Sequence, residues 1–359
     1  MPLSDPTVYI DIVPTWFYYC LVFLLALAVT LLLTPLAKRL ALYLNIVDRP
    51  GERKIHHHIV PYLGGLAIYT GFWITIIVST PDHIQQLGAI VLCATLVMLL
   101  GLWDDRNGMK PGIKIFGQFV CALVIVGSDI QFQIIENQGV NAAVTIVWIV
   151  GITNALNLLD NMDGLSTGAT LISAGFLFLI AAHNGQFLVA TTALALAGAC
   201  FGFWWFNKPP ASIFMGDAGS LFIGFMVAVL GVKLRPPVSG LDSTFWVVIV
   251  LLGLPILDTT LVTTQRILNG RKFYLGGRDH CSHRLVFMGM SRQDAVLWLY
   301  MVAVFYGFWA LVINALGMNP LIFGVVAFFT ITLYFWFSSI DPYSRHTPEL
   351  GPVSQEGQG

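Results

Sequence analysis

The sequence predicts an all-α polytopic membrane protein of about eleven transmembrane helices, and three observations predict it. Charged residues make up only 10% of the 359, against about 25% in soluble domains. Hydrophobic residues make up 57%, and the mean hydropathy is +0.78. Charge is also missing from whole stretches, at 12–37, 83–103, 137–159, 164–207 and 295–340. A helix needs about 20 apolar residues to cross a bilayer, and runs this long and apolar are helices rather than barrel strands. An ordinary soluble enzyme and a disordered chain are both excluded. A net charge of -1 with no long basic run argues against a nucleic-acid partner.

The spans follow in order. The first occupies 12–37; Lys38 and Arg39 follow it and nothing basic precedes it, the reverse of a secretory leader. Runs at 64–80, 83–103, 113–128 and 137–159 supply the next four. The stretch 164–207 holds two spans, broken at His183-Asn184-Gly185-Gln186. Runs at 218–232 and 243–266 follow, and 295–340 holds the last two, broken at Gly317-Met318-Asn319-Pro320. Residues 1–341 thus read as one transmembrane domain, and the polar, Gly- and Pro-containing 342–359 as a disordered tail.

Eleven spans place the N-terminus outside and the C-terminus in the cytoplasm. One face then collects the loops 38–63, 104–114, 160–166, 207–217 and 267–292 plus the tail after 340, and with them, counting Arg266 at the adjoining span end, all 18 Lys and Arg except Lys233 and Arg235. The positive-inside rule makes that face cytoplasmic. Cys20, Cys93, Cys121 and Cys200 fall inside spans and Cys281 in a cytoplasmic loop, so no disulfide framework is expected.

Four clusters on this face exceed what packing requires. Trp103-Asp104-Asp105-Arg106 puts adjacent carboxylates at a membrane boundary, where they repel unless a cation or proton chemistry uses them; a solvated helix end is the plain alternative. In Asn154-Ala155-Leu156-Asn157-Leu158-Leu159-Asp160-Asn161-Met162-Asp163-Gly164, positions 154, 157 and 160 share a helix face. Their oxygens suit a hard cation or a nucleobase edge, while helix capping accounts for one of them. Phe214-Met215-Gly216-Asp217-Ala218-Gly219-Ser220 opens a span, so Asp217 is either an N-cap or the carboxylate of a magnesium–phosphate site. Gly276-Gly277-Arg278-Asp279-His280-Cys281-Ser282-His283-Arg284 concentrates groups that clamp a diphosphate; zinc on His280, Cys281 and His283 is the rival. His56 to His58, beside Arg53 and Lys54, read as a phosphate or anionic-headgroup surface.

These motifs, with Lys110-Pro111, Lys114 and Gln118, resemble the polyprenyl-phosphate N-acetylhexosamine-1-phosphate transferases, the superfamily of MraY and the WecA/TagO-type enzymes. The similarity runs from about Asp48 to Met290. It implies an eleven-helix, MraY-like catalytic domain in a bacterial plasma membrane with a cytoplasmic site. It also implies the transfer of HexNAc-1-phosphate, GlcNAc-1-phosphate first among candidates, from a UDP-sugar to polyprenyl phosphate, releasing UMP. Another UDP-N-acetylhexosamine or UDP-MurNAc-pentapeptide are alternative donors. The implied cofactor is Mg2+, with Mn2+ as a substitute; the implied partners are both substrates and the bilayer, with a homodimer as a candidate assembly.

By the same resemblance, Asp217 is the principal magnesium ligand and Asn157 a candidate second. Asp104 and Asp105 position or deprotonate the lipid phosphate, or help hold the metal. Lys114 contacts phosphate, Asp163 contacts the nucleobase, and Asn154 and Asp160 support that pocket. His280, His283 and Arg284 reach the sugar diphosphate, and Lys54 and His56 approach it from the first loop.

Departures from the family pattern favour the WecA/TagO side. Asn161 stands where a glycine is usual and Ser282 where the loop of those enzymes carries a histidine. Ile59 and Tyr62 replace a usual proline and arginine, and MraY's run of three histidines is absent from the loop. Two other classes stay open: a proton-coupled transporter, for which Asp258 is the intramembrane acid to test, and a non-catalytic scaffold.

Overall fold

The computed structural model describes residues 15–48, 60–235, 243–272, 274 and 276–343. Lys54 and His56 lie outside the described residues, as does the chain from 344 onward. The helices are α1 (Thr15–Tyr43), α2 (Gly64–Ser79), α3 (Gly88–Asn107), α4 (Pro111–Gly127), α5 (Gln138–Leu159), α6 (Leu165–His183) and α7 (Phe187–Asn207). They continue as α8 (Gly216–Lys233), α9 (Ser243–Leu251), α10 (Gly253–Leu268), α11 (Cys281–Phe287), α12 (Arg292–Leu316) and α13 (Pro320–Ser338). Among the described residues every apolar run of the sequence forms helix. Among the described residues eight helices are long and apolar enough to cross a membrane, or nine if α9 and α10 count as one bent span, while α2 and α4 are apolar but shorter. The chain is a multi-pass helical membrane protein.

The breaks have local causes. Between α12 and α13, Asn319 accepts the amide hydrogens of Leu321 and Ile322 at 3.1 Å each, and Pro320 needs no partner for a missing N–H. The run 243–266, expected as one helix, is bent by 70° at Leu252. Pro255 lies in the first turn of α10, where a proline is tolerated only because a new helix starts there.

The centre of the bundle is α8, which packs against α2, α3, α5, α6 and α7. Its most apolar stretch is 89% buried, against 17% for α13 at the periphery. The sequence explains this placement: glycine, alanine and serine recur along Gly216–Lys233 and let neighbouring backbones approach.

One feature departs from the all-α expectation. Short strands β1 (Val47–Asp48) and β2 (Val60–Pro61) pair antiparallel, with Val47 opposite Pro61 and Asp48 opposite Val60. Past Pro61 the chain continues pairing along the segment before α8: Phe214 N–H donates to Pro61 O at 2.9 Å, Gly64 N–H to Phe214 O at 3.0 Å, and Gly65 N–H to Met215 O at 2.9 Å. The base of the first loop is thereby fastened directly beside Asp217.

Candidate active site

The site forms where α8 begins. Gly216 has φ +71°, a backbone conformation that favours glycine, and this turn aims the first amides of α8 at the end of α3. There the Asp105 carboxylate accepts Asp217 N–H at 2.7 Å and Ala218 N–H at 3.0 Å. A side chain from one helix caps another, satisfying amides that have no partner within α8. Gly101, one turn earlier on α3, makes the approach possible: a Cβ there would sit 2.3 Å from Asp217 O and 2.4 Å from Ala218 N. Both oxygens of Asp105 are used in this way, which leaves Asp104 as the carboxylate of the pair available for chemistry.

Asp104 and Asp217 converge on one cation. Lys114, from the first turn of α4, forms ion pairs with both carboxylates. Pro111 opens α4 and sets the direction of that turn. From α5, Asn157 Nδ2 donates to Asp217 Oδ1 at 2.7 Å and to Ser220 Oγ at 2.8 Å. Ser220 closes the Phe214–Ser220 motif and lies three residues after Asp217 on the same helix face, a spacing that marks it as a partner for this carboxylate's neighbours. One turn back, Asn154 donates to Gln118 Oε1 at 2.5 Å and to Val150 O at 2.8 Å, tying α5 to α4.

The turn after α5 adds two more carboxylates. Burial, reinforced by the charges of Asp217, Asp105 and Asp163, pushes the Asp160 carboxyl up to about 8. Asp163 Oδ2 accepts Ala211 N–H at 2.9 Å, so one edge of this carboxylate is committed to the chain and the other remains for a ligand. Tyr300 OH donates to Gly164 O at 2.5 Å, and Gly164 N–H donates to Asn207 Oδ1 at 3.1 Å, which fixes the turn. Tyr62 rests on Phe214, with ring centroids 5.6 Å apart. Burial and the nearby Asp105, Asp160 and Asp217 push its phenol up to about 12, so it stays a hydrogen-bond donor.

The loop before α11 differs most from expectation. Arg284, expected at the sugar diphosphate, is fully buried. Its Nε donates to Asp279 O at 2.8 Å, and its Nη1 donates to Phe337 O at 2.8 Å and Ile340 O at 2.6 Å. It caps the carbonyl end of α13, where a cation complements the helix dipole. His283 is 7% exposed, and burial, helped by His280 and Arg278, pushes its imidazole down to about 4. It is a neutral ring at pH 7 rather than a cationic clamp.

Asp258, the acid singled out for transport, is fully buried and committed. It receives a hydrogen bond from His280 Nδ1 at 2.7 Å and another from Cys281 N–H at 2.7 Å. A carboxylate only accepts, so Nδ1 of His280 carries the hydrogen and the ring orientation is set. Asp279 pairs with Arg266 through two contacts of 2.6 and 2.7 Å and accepts Tyr343 OH at 2.6 Å. Burial pushes its carboxyl up, but Arg266 and Tyr343 outweigh this and hold it below the usual range. Tyr343 also lies under Arg271, so the segment expected as tail from 342 takes part in the fold through this residue.

The donor chemistry at Asp104 and Asp217 fits magnesium. Two hard carboxylate oxygens share one cation, and magnesium takes one or two carboxylates with water and phosphate completing its shell. Asn157 faces Asp217 with its amide nitrogen, so it acts on the carboxylate. Among the described residues no group of three His, Cys, Asp or Glu side chains is placed to hold a metal. At the zinc alternative, burial raises the Cys281 thiol well above its ordinary range, which opposes a thiolate ligand.

A helical membrane bundle with carboxylates, a lysine and amides gathered at one end defines a membrane-embedded enzyme acting on phosphorylated substrates. Residues 87–235 match the family described as glycosyl transferase family 4. The chain is 32% identical over 302 residues to the probable undecaprenyl-phosphate N-acetylglucosaminyl 1-phosphate transferase of Bacillus subtilis (strain 168), covering 82% of this chain and 84% of that protein. It is 32% identical over 318 residues to the decaprenyl-phosphate N-acetylglucosaminephosphotransferase of Mycolicibacterium smegmatis, covering 78% of each. It is also 33% identical over 275 residues to the phospho-N-acetylmuramoyl-pentapeptide-transferase of Lacticaseibacillus paracasei, covering 67% of this chain and 80% of that protein. The chain belongs to glycosyl transferase family 4.

Proposed function

We propose that this protein transfers N-acetylglucosamine-1-phosphate from UDP-GlcNAc to undecaprenyl phosphate, releasing UMP and starting a cell-envelope glycan. The observation that carries this reading is the convergence of Asp104, Lys114, Asn157 and Asp217 from four helices onto one point. The transferase names of the relatives support it. In the reaction an oxygen of the lipid phosphate bonds to the β-phosphorus of the UDP-sugar, and the bond from that phosphorus to the bridging oxygen of UMP breaks. One phosphoanhydride replaces another, so the chemistry asks for alignment and charge neutralisation.

Asp217 and Asp104 would hold Mg2+, which supplies charge neutralisation at the diphosphate when bound. Asn157 and Ser220 keep the Asp217 carboxylate oriented. Lys114 faces the phosphates and balances the two carboxylates. Asp105 holds α8 in place. A phosphate monoester has its second pKa near about 6, so the lipid phosphate reaches the site largely ionised and Asp104 has little proton to remove. The free edge of Asp163 and the protonated Asp160 face the nucleotide from the turn after α5.

The distribution of Lys and Arg supports an eleven-span topology, with the N-terminus outside and this site on the cytoplasmic face of a bacterial cell membrane. The test is UMP release by the purified protein in detergent with Mg2+, undecaprenyl phosphate and a panel of UDP-GlcNAc, UDP-GalNAc and UDP-MurNAc-pentapeptide. UMP with UDP-GlcNAc is the expected result. Silence with every donor would overturn the transferase reading, and preference for another donor would correct the sugar.

A further inference from the structure

Two of the residues that depart from the family pattern, one in the turn after α5 and one in the histidine loop, touch each other. Ser282 Oγ–H donates to Asn161 Oδ1 at 2.5 Å. Asn161 in turn donates through Nδ2 to Leu158 O at 2.9 Å, at the end of α5. Ser282 is 1% exposed, so its hydroxyl has no water to fall back on. Asn161 follows Asp160 directly and lies two residues before Asp163. Ser282 lies between His280 and His283.

We propose that Asn161 and Ser282 are positioning residues, a polar latch that holds the histidine loop against the turn carrying Asp160 and Asp163 and so sets the affinity for the sugar nucleotide. The reading rests on the transferase function above. Asp258, and Arg266 through Asp279, fasten this loop to α10, and Arg284 fastens it to α13. None of these contacts fixes its distance from the turn after α5. The Asn161–Ser282 bond does, because both ends are anchored: one by a backbone carbonyl, the other by the first turn of α11.

The two departures also complement each other chemically. A glycine at 161 would leave the buried Ser282 hydroxyl without this acceptor, and a residue without a hydroxyl at 282 would remove this donor from Asn161 Oδ1. Each residue is therefore suited to the other: without Asn161 a buried hydroxyl is left unmatched, and without Ser282 a half-buried amide oxygen is.

The experiment is a double-mutant cycle on the full-length enzyme, with KM measured separately for UDP-sugar and for polyprenyl phosphate. Ser282→Ala and Asn161→Ala are each expected to raise the donor KM about five- to tenfold while the lipid KM holds; the double variant is no worse than either single one, as coupled residues require. Ser282→Thr, which keeps the hydroxyl, is expected to restore the donor KM. Additive effects, equal changes in both KM values, or an unchanged donor KM in the single variants would overturn the latch. Should Ser282→Ala fail to fold, Ser282→Thr and Asn161→Gly carry the comparison. An unaltered enzyme that releases no UMP with any donor would instead refute the function on which the latch rests.

Discussion

Asp105 accepts the backbone amide hydrogen of Asp217 at 2.7 Å, so one acid of the site holds the helix that presents another. This separates two neighbours that look equivalent in sequence. Asp105 lends both oxygens to the start of α8, whereas Asp104 pairs with Lys114 beside the Asp217 carboxylate. The cap holds a helix, while the pair is the one that the proposed reaction would use, and each gives a different prediction.

Asp105→Asn replaces one accepting oxygen with an amide nitrogen that cannot accept from a backbone N–H. Hydrogen bonds to a charged group contribute about 1.5–3 kcal/mol, so a lowered melting temperature is expected together with lost activity. Asp104→Asn leaves Lys114 paired with Asp217, so it should lower the melting temperature less than Asp105→Asn does, while losing about 100-fold or more in kcat through electrostatics at the reacting phosphates. Thermal unfolding in detergent and UMP release decide it; equal destabilisation by both would erase the distinction.

Gly101→Ala tests the close approach of α3 to α8. The new methyl would meet backbone atoms of Asp217 and Ala218 at 2.3–2.4 Å, and neither can swing aside as a side chain would. Overpacking of this kind costs about 1–3 kcal/mol, and here it also displaces Asp217. Gly88→Ala, on the same helix with nothing within 4 Å, is the control and should be neutral or slightly stabilising. Comparable losses from both substitutions would show that helix α3 tolerates neither change and that contact with α8 is not the cause.

Lys114→Gln removes the cation that Asp104 and Asp217 share. Two carboxylates left together repel, so the variant should melt lower in the absence of divalent ions. Added Mg2+ should recover more melting temperature in the variant than in the parent, because there it relieves repulsion that Lys114 otherwise balances, and NaCl of equal ionic strength should not. Activity should stay low even at saturating Mg2+, since the phosphate contact proposed for Lys114 would be gone. Identical Mg2+ responses in the two proteins would remove Lys114 from the carboxylate pair.

The legible part of this molecule was periodicity and local motif. Charge-free and charge-poor apolar runs mark the apolar helices, and the acids at 104, 105 and 217 stand out because an apolar chain has few reasons to place them at helix ends. What sequence could not assign was direction. Arg284 sits among diphosphate-binding residue types, yet its guanidinium points at the carbonyls of Phe337 and Ile340, more than 50 residues away in the chain. Asp258 looked like a lone membrane acid because its partner, His280, lies 22 residues further on. The link between Asn161 and Ser282 spans 121 residues, and each change taken alone had no evident reason. Local patterns announce elements; long-range pairing assigns the roles.

Arg284→Lys keeps a positive charge but cannot reproduce three bonds to Asp279, Phe337 and Ile340 from one planar fork. Losing a buried, multiply bonded group costs about 2–4 kcal/mol. The melting temperature should fall, while the folded fraction keeps the parent's donor KM. A raised donor KM with an unchanged melting temperature would return Arg284 to the substrate.

His283 predicts how stability depends on pH. Its imidazole is held down to about 4 by burial, while in the unfolded chain it titrates near about 6.5. Between these values the unfolded chain takes up a proton that the folded protein refuses. Stability from this group is therefore complete above pH ~6.5 and is lost progressively as pH falls toward ~4, by roughly 3 kcal/mol in all. His283→Gln should flatten the melting-temperature profile across that window and leave it unchanged above pH 7. Carboxylates such as Asp279 titrate in the parent and the variant alike, so the difference between the two profiles isolates the imidazole. Superimposable profiles would mean that His283 is protonated in the folded state and that the loop surrounding it admits charge.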